Sequence, residues 1–368
     1  VSARLGEHLR SGDTIARRGG DEFVMIPRDA TDRAAAVSVA QRLLEGLAKP
    51  FLIRDNRLDV SAGIGIALFP DDATDADELL RNADMALYRA KRDGPDQYRC
   101  YSSEMDMELK ASHRLETGLR EALERGTLEL VYQPVFSLQD GSINAAEALT
   151  RWPYSDGSYV APASFIPVAE ASGLIIPLGE WTLREACRQA RSWTERGWRA
   201  RVAVNISAVQ LRQPDFADLV ERTLLVSGLA AAQLELEITE GVFLDPSSSA
   251  IAKTLRGVAE IGVRLAIDDF GTGFSNLGYL KNFPFHRIKI DRSFVHDIGK
   301  TADAEAITNA IITLTHSLGK SVTAEGVETE GQHAFLRRNR CDEAQGYLLA
   351  RPKPAHEVQH LFFETSPA

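Results

Sequence analysis

The chain has 368 residues, 44% of them hydrophobic, with modest glycine and proline content, which suits a globular protein of two ordinary domains and excludes a disordered or fibrous one. A formal net charge of -10 argues against a nucleic acid polymer as partner, since binding to its backbone needs a basic face. Three scattered cysteines in no metal-ligand spacing, no secretory signal and no apolar run near the roughly 18 residues of a membrane span point to a cytoplasmic chain, and its opening on Val1 to a piece of a longer parent that could carry a membrane anchor.

In chain order, Ile15–Arg17 and Phe23–Ile26 flank Gly19-Gly20 and read as a hairpin with a tight turn. Asp32–Leu47 has helical periodicity and is stopped by Pro50. Val60–Phe69 reads as a strand and Ala76–Lys91 as a helix that ends near Gly94. The polar stretch Ser102–Lys110 leads into an amphipathic helix around Leu115–Leu123. We expect a first domain over residues 1–101, a linker over 102–114 and a second domain over 115–364.

From residue 128 the pattern changes to strands alternating with helices. The expected strands are Leu128–Val135, Ile143–Leu149, Val202–Ile206, Leu234–Ile238, Arg264–Ile267, Arg287–Ile290, Val322–Ala324 and Gly346–Leu349. They are mostly short and apolar, as expected of strands buried on both faces. Helical segments stand at Pro177–Arg196, Phe216–Val226, Ser247–Ile261, Ala304–Leu318 and Thr329–Arg338. This alternation predicts an α/β fold of the TIM-barrel type. An open doubly wound sheet would show a glycine-rich phosphate turn after its first strand, and none is present.

The ends of those strands carry polar residues in series. Glu147 follows the second, Asn205 lies near the end of the third and Glu237 in the fourth. Asp268-Asp269 close the fifth, Lys289 lies in the sixth, Glu325 follows the seventh and Gln345 lies at the eighth. In a barrel such ends converge on one rim, where active sites are built. Taken singly each residue has an ordinary explanation: a helix start, a turn, a solvated lysine. Together they predict an oxygen-rich pocket for Mg²⁺ or Mn²⁺, and two such ions can activate water and steady an in-line phosphoryl displacement.

Glu147-Ala148-Leu149, followed by Thr150-Arg151-Trp152, is the signature of the EAL phosphodiesterase family, which the chain resembles. Tyr132-Gln133-Pro134, Asn205-Ile206-Ser207, Glu237-Ile238-Thr239-Glu240, Asp268-Asp269-Phe270-Gly271-Thr272-Gly273, Lys289-Ile290-Asp291, Ala324-Glu325-Gly326-Val327-Glu328 and Gln345-Gly346-Tyr347 follow the same family pattern. The resemblance implies a modified (βα)₈ barrel that hydrolyses one phosphodiester of cyclic di-GMP to linear pGpG, with two metal ions per site. It implies metal ligation by Glu147, Asn205, Glu237, Asp268 and Asp269, with Glu325 a further ligand or a water-orienting base. Lys289 would touch the attacking water or the phosphate, and Gln345 would hydrogen-bond near the metals. Gln133, Leu149 and Arg151 would contact substrate. Glu240 would hold the loop Phe270–Leu280, which ties metal binding to homodimerisation and in which Phe274, Asn276 and Gly278 replace the usual Tyr, Ser and Ser. A catalytically silent cyclic di-GMP sensor is the alternative, although no ligand position is lost.

Arg18-Gly19-Gly20-Asp21-Glu22-Phe23 is similar to the hairpin signature of the GGDEF diguanylate cyclases, and Arg10-Ser11-Gly12-Asp13 to that family's product-inhibition site. Ala83–Lys91 resembles its later helix, while Gly94-Pro95-Asp96 departs from the usual ending. The resemblance implies the C-terminal part of an α+β cyclase domain, able to meet GTP or cyclic di-GMP. No cyclase activity is expected from these residues alone, and a bifunctional parent stays open.

Overall fold

A computed structural model of the chain describes all residues except 11, 54–55, 155–156, 200, 245–247, 273–282 and 365–368. It divides into two compact units, Val1–Arg114 and Leu115–Ala368. Among the described residues no helix is long and apolar enough to cross a membrane.

In the first unit the hairpin pairs Thr14–Gly19 with Glu22–Ile26, and Gly20 turns it at φ +51°. Asp32 caps the helix Arg33–Leu47 by accepting the Ala35 N–H at 2.8 Å. Of the expected strand Val60–Phe69 only Ile64–Ile66 is ladder, because the partner it finds, Tyr98–Cys100, is no longer than that. A Cβ on Gly65 would lie 2.0 Å from the Ala83 carbonyl oxygen, so only glycine lets the helix Ala76–Asp93 rest on this strand. A short ladder of Phe51–Ile53 with Asn56–Leu58 lies outside the sequence expectation.

The stretch expected as a linker is helical, and Ser103–Arg125 is one continuous helix. Glu104 and Asp106 in its first turn suit the helix dipole, and the pairs Lys110–Asp106, Arg120–Glu116 and Arg125–Glu121 are spaced one turn apart. A polar run with such pairing looks like a linker in sequence yet supports a helix.

The second unit is a closed barrel of eight strands: β1 Glu129–Ser137, β2 Ile143–Pro153, β3 Arg201–Asn205, β4 Leu234–Thr239, β5 Arg264–Phe270, β6 Arg287–Ile290, β7 Ser321–Ala324 and β8 Glu343–Ala344. β1 runs antiparallel to both neighbours, β2 and β8, and the other adjacent pairs are parallel. The outward side chains, among them Val204, Leu236, Ile267, Ile288 and Val322, are buried under helices that include Ile175–Glu195, Phe216–Ser227 and Ala302–Ser317. Trp193 meets Tyr132 edge-on at 4.7 Å, and Trp198 stacks on Phe362 at 3.8 Å; both tryptophans are packing residues.

Two strand expectations are corrected. The eighth strand is Glu343–Ala344, whereas Gly346–Leu349, more apolar, forms turns. Glu343 hides the strand in the sequence, and it can be buried because Arg201 and Arg287 pair with it. Glu147 lies within β2 instead of after it, since β2 continues past the site as an antiparallel partner of β1.

The lower barrel interior is not apolar. Glu235, Arg287 and Glu343 are buried there, with Arg201 and Arg264 reaching in from the edge, and each cation lies within 4 Å of a carboxylate of this set.

Candidate active site

Residues two apart on a strand face the same side, so Glu237 and Lys289 stand on the barrel's interior above Glu235 and Arg287. Gln133 on β1 is the register partner of Glu147 on β2, and Asn205 on β3 that of Glu237 on β4. These registers bring the polar residues to one recess at the ends of the parallel strands.

Within it Glu147 accepts hydrogen bonds from Asn205 Nδ2 at 2.7 Å and from Gln345 Nε2 at 2.7 Å. Gln345 Nε2 also donates to Gln133 Oε1 at 3.0 Å, and Gln133 Nε2 to the Ala350 carbonyl at 3.1 Å. Lys289, 2% exposed, brings Nζ to 2.6 Å from Glu325, 2.7 Å from Glu237, 3.3 Å from Asp268 and 3.8 Å from Glu147. A Cβ on Gly346 would sit 2.1 Å from the Val327 carbonyl oxygen. Glycine there lets the turn after Gln345 lie against the loop after Glu325.

Neighbouring residues of a regular strand point to opposite faces. Asp268 and Asp269 nevertheless both serve the recess, because the β5–β6 register shifts between Ile267 and Phe270 and Asp269 takes a left-handed backbone at φ +52°. Such a conformation costs a non-glycine residue about 1–3 kcal/mol, though aspartate tolerates it better than most. Asp268 accepts the Asp269 N–H at 3.0 Å, and Glu240, buried at the end of β4, accepts the Gly271 N–H at 2.9 Å. Glu240 thus fixes the backbone just beyond the aspartates. Gly273, Phe274, Asn276 and Gly278 lie outside the described residues.

Carboxylate oxygens of Asp268, Asp269 and Glu325 all lie within 4.8 Å of one another. Buried Gln345 Oε1 accepts no hydrogen bond among the described residues. Crowded oxygen donors of this kind fit a hard divalent cation. The protons are unevenly shared. Burial works against ionising Glu147, but Lys289, Gln345 and Asn205 outweigh it and hold its carboxyl below the ordinary range. Burial, then the charges of Glu147, Asp268 and Glu325, push Glu237 well up despite Lys289. Desolvation raises Glu325 to about 8, and desolvation with the charges of Asp268 and Asp291 raises Asp269 to about 6.

The substrate positions are less tightly tied. Arg151 is partly buried and donates to the Thr150 carbonyl at 3.0 Å, and Leu149 is the register partner of Val131 on β1. The charge of Glu147 acts on Arg151 through space. In the first unit Asp13 accepts the N–H groups of Arg10 at 2.8 Å and Arg28 at 2.9 Å, and Arg18 pairs with Asp84 at 2.9 Å. Asp21 and Glu22 are exposed at the hairpin tip, and Ser11 lies outside the described residues.

Sequence reasoning missed three features. Asp291, at the end of the sixth strand's motif, faces Asp269 while capping a short helix through the Ser293 N–H at 2.9 Å. Its place directly after Lys289-Ile290 was the available signal. The charged lower interior gave none, because its partners come from distant strands. His356 and His360 stand in the His-Glu-x-x-His spacing of a zinc helix, but both rings are exposed and among the described residues no third metal ligand joins them.

The family described as "EAL domain" matches residues 116–352, and "Diguanylate cyclase, GGDEF domain" matches residues 1–97. The chain is 42% identical to the signaling protein YkoW of Bacillus subtilis over 99% of its own length and 46% of that protein's. It is 41% identical to the cyclic di-GMP phosphodiesterase NbdA of Pseudomonas aeruginosa over 98% of its own length and 46% of NbdA's. It therefore spans about half the length of these curated relatives. Among solved structures, "PaMucR Phosphodiesterase, c-di-GMP complex" matches with a TM-score of 0.64 and 41% identity, covering 67% of this chain and 99% of that one.

Proposed function

The chain belongs to the EAL domain family, and from that premise we propose that it hydrolyses one phosphodiester bond of cyclic di-GMP to give linear pGpG. The observation that carries this reading is the recess itself, where Glu147, Glu237, Asp268 and Glu325 surround buried Lys289 and the oxygens of Asp268, Asp269 and Glu325 crowd within 4.8 Å. The relatives named for the same activity support it.

Glu147, Asn205, Glu237, Asp268 and Asp269 would hold two divalent ions, Mg²⁺ or Mn²⁺, with Glu325 a ligand or the group that orients water. Bound there, the ions would supply a water of lowered pKa and neutralise charge on the phosphate. Lys289, fixed by its carboxylates, presents a cation where the transition state gains negative charge. Gln345 orients Glu147, whose second oxygen is held by Asn205. Arg151, with a planar fork suited to phosphate, and Gln133 and Leu149 line the substrate side. We also assign the barrel unit to homodimerisation and the first unit to GTP or cyclic di-GMP binding.

The test is chromatographic. The chain is incubated with cyclic di-GMP and Mg²⁺ or Mn²⁺ beside Glu147→Ala. Product pGpG from the parent and none from the variant is expected. Tight cyclic di-GMP binding with no product in either metal would make the barrel a sensor.

A further inference from the structure

Barrel interiors are ordinarily filled by layers of Val, Ile and Leu. Here the layer beneath the recess holds Arg201, Glu235, Arg264, Arg287 and Glu343. A buried ion-pair network is often no more stabilising than apolar side chains of the same volume, so stability gives no reason for its presence. Its position does. Glu235, Arg287, Thr323 and Glu343 each stand two residues before a residue of the recess on the same strand or its extension: Glu237, Lys289, Glu325 and Gln345. Two residues of strand advance the chain by about 6.6 Å. The network is thus the floor on which the recess stands.

Its bonds also run where the backbone ladder cannot. Arg287 on β6 reaches Glu343 on β8 at 2.7 Å, Thr323 on β7 at 2.8 Å and Glu235 on β4 at 3.4 Å. Arg201 on β3 reaches Glu343 on β8 at 2.9 Å. The β6–β8, β4–β6 and β3–β8 links join strands that are not ladder neighbours, so they fix distances across the barrel. Above them, several carboxylates surround a single lysine and repel one another, which tends to spread the strand ends.

We propose that Arg287 is a positioning residue: through Glu235, Thr323 and Glu343 it sets the cross-barrel spacing of the carboxylates above and thereby the affinity of the recess for divalent metal. The inference rests on the metal-dependent reading of that recess, but it concerns metal binding and not turnover.

Binding of Mn²⁺ alone to the full chain, followed by the electron paramagnetic resonance of the free ion, tests it. Three variants are compared with the parent: Arg287→Met, Thr323→Val, which removes the Thr323 hydroxyl that accepts from Arg287 and donates to Glu343, and Ile288→Val, which thins the core on the opposite face of β6. Mn²⁺ affinity should fall about tenfold in Arg287→Met, the scale on which outer-shell partners act, and measurably in Thr323→Val. Ile288→Val should lower the melting temperature and leave affinity unchanged. Affinity within twofold of the parent in both inner variants, or an equal loss in Ile288→Val, overturns the proposal. If Arg287→Met does not fold, Thr323→Val decides alone. A parent chain that binds Mn²⁺ without hydrolysing cyclic di-GMP would defeat the functional reading while leaving this comparison intact; a parent that binds no Mn²⁺ overturns both.

Discussion

Lys289 Nζ lies 2.6 Å from Glu325 Oε1, so the buried ammonium on β6 is held by the carboxylate that follows β7. Burial works against the charge on Lys289, but Asp268, Glu147, Glu237 and Glu325 hold it ionised, with its pKa well above the usual lysine range. Lys289→Met should therefore do more than slow hydrolysis. Breaking a buried pair by removing one partner costs about 3–5 kcal/mol, and the metal-free variant should melt well below the parent. Added Mn²⁺ should return much of that loss by supplying the missing positive charge. A thermal scan with and without Mn²⁺ checks both parts, and an unchanged melting point in the metal-free variant would contradict this account of the cluster.

Metal binding should release protons. Glu325 is raised to about 8 and Asp269 to about 6, so in the metal-free chain these groups carry protons below those values. A ligand must be deprotonated, and hence affinity for Mg²⁺ or Mn²⁺ should fall as pH is lowered from 8 to 6. Calorimetry in buffers of different ionisation enthalpy reads the protons directly. Equal heats in every buffer would mean that the carboxyls were already ionised.

Asp269 combines a ligand position with a left-handed backbone. Asp269→Asn keeps a side chain that tolerates φ +52° and should fold as well as the parent while binding metal more weakly. Asp269→Ala should bind metal weakly and also lose about 1 kcal/mol, because alanine tolerates that conformation less well. Chemical denaturation of the pair separates the two effects.

Much of this site was legible because its residues fall at or near strand ends in a fixed order, interleaved with apolar residues as in Leu234–Ile238 or Arg287–Ile290. The chemistry of Glu237 or Asp268 was readable where the partner was not: that Lys289 binds four of the carboxylates depends on barrel closure. The floor was invisible for the same reason. Arg201 and Glu343 meet at 2.9 Å, yet nothing local to either predicts the other, and a charge in a short strand reads as solvated. The left-handed turn at Asp269 was equally hidden, since an Asp-Asp pair before glycine suggests only a turn.

Gly346→Ala touches no ligand but should disable the site. The added Cβ would fall 2.1 Å from the Val327 backbone and must push apart the segments that carry Glu325 and Gln345. Overpacking of this kind costs about 1–3 kcal/mol. We expect a folded but less stable chain with hydrolysis reduced at least about tenfold, as small misplacements of reacting groups can produce. Parent-like turnover would show that the two loops adjust independently.

The reversed direction of β1 has a consequence for how the chain folds. It lets β1 and β2 meet as a hairpin across the connection 138–142, so Gln133 and Glu147 become neighbours by a local event. Gln345, which bonds to both, must arrive from positions 212 and 198 residues away. Contacts so distant in sequence form late, after the entropy of closing the intervening loop has been overcome. Refolding should pass through chains that hold the first side of the recess without the second, and pulsed hydrogen exchange should protect the β1–β2 amides before those of β8. Metal added early in refolding would then meet an incomplete set of ligands, and its uptake would time the closing of the ring.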